Sequence, residues 1–131
     1  MSFNWEPFGP SSGKGPAAEP APPQLAVLTC MDARVDPLAA LGLTTGDAFV
    51  LRNAGAQWSD DVVRSLQLSL GLGVTRVQVL AHTDCAAYGR RDDEAEAGAR
   101  RTAERIHAAI PELSVSAAIL DLRTGTSRAC S

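Results

Sequence analysis

A single α/β domain, a mostly parallel open sheet with helices on its faces, is the fold class this sequence predicts, on three observations. Short apolar runs of strand length alternate with segments of helical period. Two of those runs, Leu25-Ala26-Val27-Leu28-Thr29 and Val77-Gln78-Val79-Leu80-Ala81, read as buried strands. At 131 residues, with tight spacing between elements and no internal repeat, one domain is expected.

The first strand is expected from Gln24 to Cys30. Residues 37–41 read as a short helix, Pro37 suiting its first turn and Gly42 its end. Residues 48–51 form a second strand, introduced by the turn Thr45-Gly46-Asp47. Ser59 then caps a helix, with Asp60 and Asp61 in the first turn where acids favour the helix dipole. Val62, Leu66, Ser69 and Leu70 mark its inward stripe, with Val63 beside it, and Gly71 or Gly73 stops it. Residues 76–81 are the third strand. Residues 92–109 are a long polar helix, Ala-rich and charged on most faces. Residues 115–122 are a last strand before the turn Arg123-Thr124-Gly125.

Residues 1–23 hold six of the eight prolines, so they read as a Pro/Gly-rich tail ahead of a domain spanning 24–131. Phe3, Trp5 and Phe8 read either as aromatics tolerated in a flexible end or as anchors of that tail on a neighbouring subunit or another protein. A net charge of −3 gives no reason to expect nucleic acid or an anionic membrane as partner. No apolar run is long enough to span a bilayer, and Met1-Ser2-Phe3-Asn4-Trp5-Glu6 carries neither the basic nor the apolar region of a signal peptide. Three cysteines suggest no disulfide framework, and a cytoplasmic, reducing compartment is expected.

Two histidines and three cysteines occur in the chain, and three of these five leave from strand ends. Cys30 ends the first apolar run; His82 and Cys85 follow the other. Ends of neighbouring strands in an open parallel sheet meet at one crevice. Two thiolates and one imidazole are a zinc set, and three protein ligands leave the fourth tetrahedral position open. Singly, each residue reads as a core thiol or an ordinary histidine; the joint arrangement outweighs that. His107, in the polar helix, reads as a solvated residue, and Cys130 as frayed and free.

Cys30-Met31-Asp32-Ala33-Arg34, then Arg52-Asn53-Ala54-Gly55, then His82-Thr83-Asp84-Cys85 resemble the β-class carbonic anhydrases, over roughly residues 24–89 with a weaker echo near 116–126. The resemblance implies one zinc per subunit on Cys30, His82 and Cys85. It implies reversible hydration of carbon dioxide to bicarbonate, a lyase reaction whose nucleophile is a zinc-bound hydroxide, and a homodimer or higher homo-oligomer. Asp32 and Arg34 are the expected catalytic residues. A carboxylate beside the metal can orient its water, and an arginine keeps that carboxylate charged through a forked pair. Were the pair to break, the carboxylate could take the fourth zinc position, and the resemblance implies that both states exist. Elsewhere, Asp and Arg two apart usually form a salt bridge of little consequence.

Gly55 is expected to permit a backbone shape other residues resist, and Arg52 to hold a loop or subunit contact. Asp84 reads equally as an acceptor for a backbone amide or as a turn residue. The chain departs from the family at its proline-rich front, where helices usually wrap a partner subunit, and in the short stretch after Cys85. No glutamine matches the one often supplied to the pocket by the partner chain. Two further readings stand beside carbon dioxide hydration: hydrolysis of carbonyl sulfide, and a zinc-binding scaffold without turnover. A cysteine-dependent phosphatase fails, because Arg34 lies four residues after Cys30 with no glycine-rich loop to cradle phosphate.

Overall fold

The computed structural model describes residues 23–130. Strands β1 (Leu25–Cys30), β2 (Phe49–Asn53), β3 (Arg76–His82), β4 (Ser114–Asp121) and β5 (Thr126–Ala129) form one sheet in the order β2-β1-β3-β4-β5. The first four are parallel, and β5 returns antiparallel along β4. Helices α1 (Pro37–Ala40), α2 (Asp60–Gly71) and α3 (Asp92–Ala109) connect the parallel strands, and a single 3-10 turn, Ala86–Tyr88, precedes α3. The expected tail, residues 1–23, lies outside the described residues except for Pro23, as does its proposed partner contact.

Strand order decides where the helices lie. From β1 the chain steps one way to β2, then the opposite way to β3 and β4. Right-handed crossovers therefore put α1 on one face and α2 with α3 on the other. The core divides accordingly. Ala26, Leu28, Val77 and Val79 pack with Val62 and Leu66 of α2 and Ala99, Ala103 and Ile106 of α3. Val27, Leu80, Ala118 and Leu120 pack on the opposite face with Val35 and Ala40. The chain reverses direction beside β1, and the ends of β1 and β3 there form the crevice where such sheets bind ligands.

Ser59 caps α2 as expected, its Oγ accepting from the Val62 amide at 3.2 Å. At the other end Gly73, at φ +112°, is the stop. Gly73 N donates to Leu70 O at 3.1 Å and Val74 N to Ser69 O at 3.0 Å, which satisfies carbonyls the helix leaves open. Asp92, Asp93 and Glu94 open α3.

Several boundaries and environments differ from the sequence reading. β2 continues through Arg52 and Asn53, and β3 includes His82, because both segments pair with β1 or β4 to their last residue. α3 is not solvated on most faces: Ala95, Gly98, Ala99, Thr102, Ala103 and Ile106 are buried, small side chains letting the helix settle close on the sheet. Strand β5 has no apolar alternation, being exposed along its length, so its pairing left no hydrophobic signal. Cys130 is not frayed; it packs against the larger core cluster and its amide donates to Ala117 O at 2.9 Å.

Candidate metal centre

Cys30 is the last residue of β1 and His82 the last of β3; Cys85 opens the turn into Ala86–Tyr88. The Cys30 and Cys85 sulfurs and a His82 ring nitrogen lie within 4.8 Å of one another. All three residues are buried, with exposures of 5%, 1% and 3% for Cys30, His82 and Cys85. The two sulfurs are 4.0 Å apart. Tetrahedral zinc with bonds of about 2.3 Å to sulfur requires a separation near 3.8 Å, so the spacing fits.

His82 supplies the decisive test of fit. Its Nδ1 lies 2.7 Å from Thr83 O. A carbonyl only accepts, so Nδ1 carries the proton and Nε2 keeps the lone pair. That Nε2 is buried and has no hydrogen-bond partner among the described residues. A buried polar atom left so is costly, and here it faces the two sulfurs. Burial pushes the Cys85 thiol up, with Cys30 beside it adding to the effect; a cation between them reverses that preference and favours thiolate. The three residues are placed to bind a metal ion, and their donor types select zinc.

Arg-Asn-Ala-Gly builds the surrounding loop. Arg52 Nε donates to Cys30 O at 2.9 Å, and its Nη2 donates to Asp32 O at 2.8 Å and Val35 O at 3.0 Å. One guanidinium thus fixes the chain leaving β1, the structural role expected of it. Asn53 closes the next turn in both directions, Nδ2 donating to Gln57 O and Oδ1 accepting from Gln57 N, each at 2.8 Å. Gly55 sits at φ +82°, and a Cβ there would press on Ala87 and Tyr88 at 3.0 Å. Its amide points to the Cys30 sulfur at 3.4 Å.

Asp32 and Arg34 form the forked pair. Arg34 Nε donates to Asp32 Oδ1 at 3.1 Å and Nη2 to Oδ2 at 2.8 Å, while the Arg34 amide also reaches Oδ1 at 2.8 Å. These bonds hold the Asp32 carboxyl well below the usual carboxylate range. The same guanidinium reaches Asp84, Nη1 donating to Oδ2 at 3.0 Å and Nη2 to the carbonyl at 3.1 Å. Asp84 also accepts from Arg90 Nη1 at 3.1 Å, and Arg34 first and Arg90 second lower its pKa. Asp84 is a turn residue at φ +56°, but its carboxylate accepts from two guanidiniums rather than from a backbone amide. His107, exposed as expected, places Nδ1 3.0 Å from Leu113 O.

Sequence reasoning missed Tyr88 and Gly98. The Tyr88 ring closes the pocket lined by Cys30, Gly55, Ala81, His82 and Cys85. Burial pushes its hydroxyl up, against the opposing effect of Arg101. Gly98 interrupts an Ala-rich helix at a cost of about 1 kcal/mol relative to alanine. The reason is spatial: a Cβ at Gly98 would collide with the Tyr88 hydroxyl. A glycine inside an otherwise strong helical segment was the available signal.

A buried dithiol–imidazole centre at the switch point of a parallel sheet defines a zinc-type site. The sequence model of the family described as carbonic anhydrase matches residues 25–126, and the chain belongs to this family, in its β class. It is 44% identical over 85 residues to Beta-carbonic anhydrase 1 of Mycobacterium bovis, an overlap of 64% of this chain and 52% of that protein. It is 42% identical over 72 residues to a carbon disulfide hydrolase of Saccharolobus solfataricus, covering 54% of this chain and 35% of the other. The chain thus spans about half the length, or less, of these curated relatives. Among solved structures, carbonic anhydrase from Streptococcus mutans superposes with a TM-score of 0.79 at 33% identity, covering 89% of this chain and 88% of that one.

Proposed function

We propose that the chain catalyses the reversible hydration of carbon dioxide to bicarbonate. Cys30, His82 and Cys85 hold one zinc, and Asp32 and Arg34 act beside it. The observation that carries this reading is the partnerless His82 Nε2, turned toward two buried sulfurs with the Asp32 carboxylate 3.9 Å away. When bound there, zinc lowers the pKa of a water to about 7, so hydroxide is available near neutral pH. Asp32, kept ionised by Arg34, accepts a hydrogen bond and orients the reacting group. Arg34 holds that carboxylate in its rotamer. Gly55, Ala81, Tyr88 and Ala95 surround the three ligand residues with a largely apolar wall.

The carbon disulfide hydrolases among the relatives favour a second reading, hydrolysis of carbon disulfide or carbonyl sulfide by the same site. Stopped-flow assays of zinc-reconstituted protein with each substrate decide between them. Turnover of carbon dioxide well above the sulfur compounds supports the first reading, and the reverse order supports the second. A zinc-loaded protein inert to all three would leave only a scaffold role.

The chain also assembles, on this reading, as a dimer or larger oligomer. β2 is an edge strand, and Met31, Val50, Leu68 and Leu72 are large apolar side chains exposed on the described chain. Light scattering at micromolar concentration tests this, and a monomeric mass would refute it. Among the described residues no helix is long and apolar enough to cross a membrane. A reducing compartment such as the cytoplasm suits the two buried thiols.

A further inference from the structure

We propose that the cleft between α3 and the loop joining β2 to α2 binds a small oxyanion of the carboxylate, bicarbonate or phosphate class, seated between Arg101 and Arg105. The cleft has a volume of about 210 Å³ and is lined by Gln57, Trp58, Tyr88, Arg101, Thr102 and Arg105, over a floor at Gly98. Gly98, Arg101, Thr102 and Arg105 share one face of α3 by their spacing of three and four residues. No carboxylate lines the cleft, although the chain is acidic overall.

Four described arginines, Arg52, Arg76, Arg101 and Arg105, stand outside the ion pairs, and Arg101 and Arg105 share one cleft. Arg34, Arg64, Arg90, Arg91, Arg100, Arg123 and Arg128 each form an ion pair. Arg101 and Arg105 have no carboxylate partner among the described residues, yet both face the same concavity. Arg105 rests over the Trp58 ring, 4.6 Å from its centroid. A guanidinium held over an aromatic face can still donate through N–H groups directed away from the ring. The Tyr88 hydroxyl, also without a hydrogen-bond partner among the described residues, adds a donor. Two guanidinium forks and a hydroxyl match the planar or tetrahedral oxygens of such an anion.

Tyr88 joins this cleft to the metal centre, its ring lining the pocket of Cys30, His82 and Cys85 as well. The proposed anion therefore sits one aromatic ring from the candidate zinc site. The proposal stands on the cleft's own residues and goes beyond the hydratase reading.

Trp58 provides the test, because Trp5 is the one other tryptophan in the chain. Zinc-reconstituted Trp5→Phe protein is titrated with acetate, bicarbonate and phosphate at fixed pH and ionic strength, with chloride as control, while Trp58 emission is followed. A saturable change with at least one oxyanion, absent with chloride and weakened about tenfold or more in Arg101→Gln, is the expected result. The anion with the lowest half-saturation names the class. Arg101 is exposed, so Arg101→Gln is expected to keep the fold and its zinc content, which circular dichroism and metal analysis check. No saturable response, a response shared by chloride, or one unchanged in Arg101→Gln overturns the proposal. A response that vanishes when the metal is chelated places the anion at the metal and overturns it too. Emission, not turnover, is read, so failure here leaves the hydratase reading untouched.

Discussion

Asp32 Oδ2 stands 3.9 Å from His82 Nε2, the buried ring nitrogen with no hydrogen-bond partner among the described residues. Between approach and contact stands Arg34, which holds both oxygens of that carboxylate. On the proposed reading the carboxylate serves a group on the metal, and its tether to Arg34 keeps it from becoming a ligand itself.

Removing the tether tests that relationship. Arg34→Ala is expected to free Asp32 to take the fourth metal position, lowering kcat/KM by about 10- to 100-fold while zinc content stays at the wild-type level. Equal kinetics in the two proteins across the pH range would refute the gate. Parallel loss of zinc and activity would instead make Arg34 a structural residue.

Arg52→Ala removes the donor to the Cys30, Asp32 and Val35 carbonyls at once. A loss of about 1.5–3 kcal/mol is expected, the range for hydrogen bonds to a charged group. Weaker zinc retention should accompany it, because Cys30 is fixed through that same loop. Urea unfolding of zinc-loaded protein measures the first effect and competition with a chromogenic chelator the second. Unchanged zinc affinity would show that β1 alone positions Cys30.

Gly98→Ala sets two effects against each other. Helix propensity favours alanine by about 1 kcal/mol, whereas the added methyl drives the Tyr88 ring from its place. Overpacking of this kind costs about 1–3 kcal/mol, so a net loss is expected. Gly98→Ala with Tyr88→Phe should recover part of it, since the phenolic oxygen is the first atom met. A stabilised single variant would mean that Tyr88 moves aside freely.

The Asp32 pair has a pH signature. Its carboxyl is depressed in the folded chain, chiefly by the Arg34 side-chain bonds, relative to about 3.9 when unfolded. Stability from the pair is therefore fully present above the unfolded value and is lost as pH falls through the lower folded value. In chelator-treated protein, the stability gap between wild type and Asp32→Asn should stay constant from about pH 7 to 5 and shrink below about pH 4. A gap that closes between pH 5 and 6 would mean that Arg34 does not hold this carboxylate.

Much of this was legible in the sequence because buried strands write their burial in apolar runs. Val27, Leu28, Val77, Val79 and Leu80 disclosed β1 and β3, and the ligand residues stand where those runs stop. The start of α2 followed from Ser59 as cap and the acidic first turn of Asp60 and Asp61, and the span of α3 from its long polar, Ala-rich run. β5 was not legible, since an exposed edge strand owes its pairing to backbone bonds that any side chain permits. Nor was the cleft of Arg101 and Arg105. Its parts lie on the β2–α2 loop, the turn after Cys85 and α3, and only the packing of α3 on the sheet brings them together. Asp84 was legible as a turn residue but its carboxylate partners were not, since Arg34 and Arg90 lie 50 and 6 residues away.

Zinc K-edge X-ray absorption on the reconstituted protein, with thiols kept reduced, tests the metal centre most directly. A first shell of two sulfurs at about 2.3 Å and one imidazole nitrogen at about 2.0–2.1 Å, with a light atom completing four, is the expected spectrum. One sulfur should be lost in Cys30→Ser or Cys85→Ser that still retains metal. Protein that takes up no zinc, or a first shell containing only oxygen and nitrogen, would contradict Cys30, His82 and Cys85 as the ligand set.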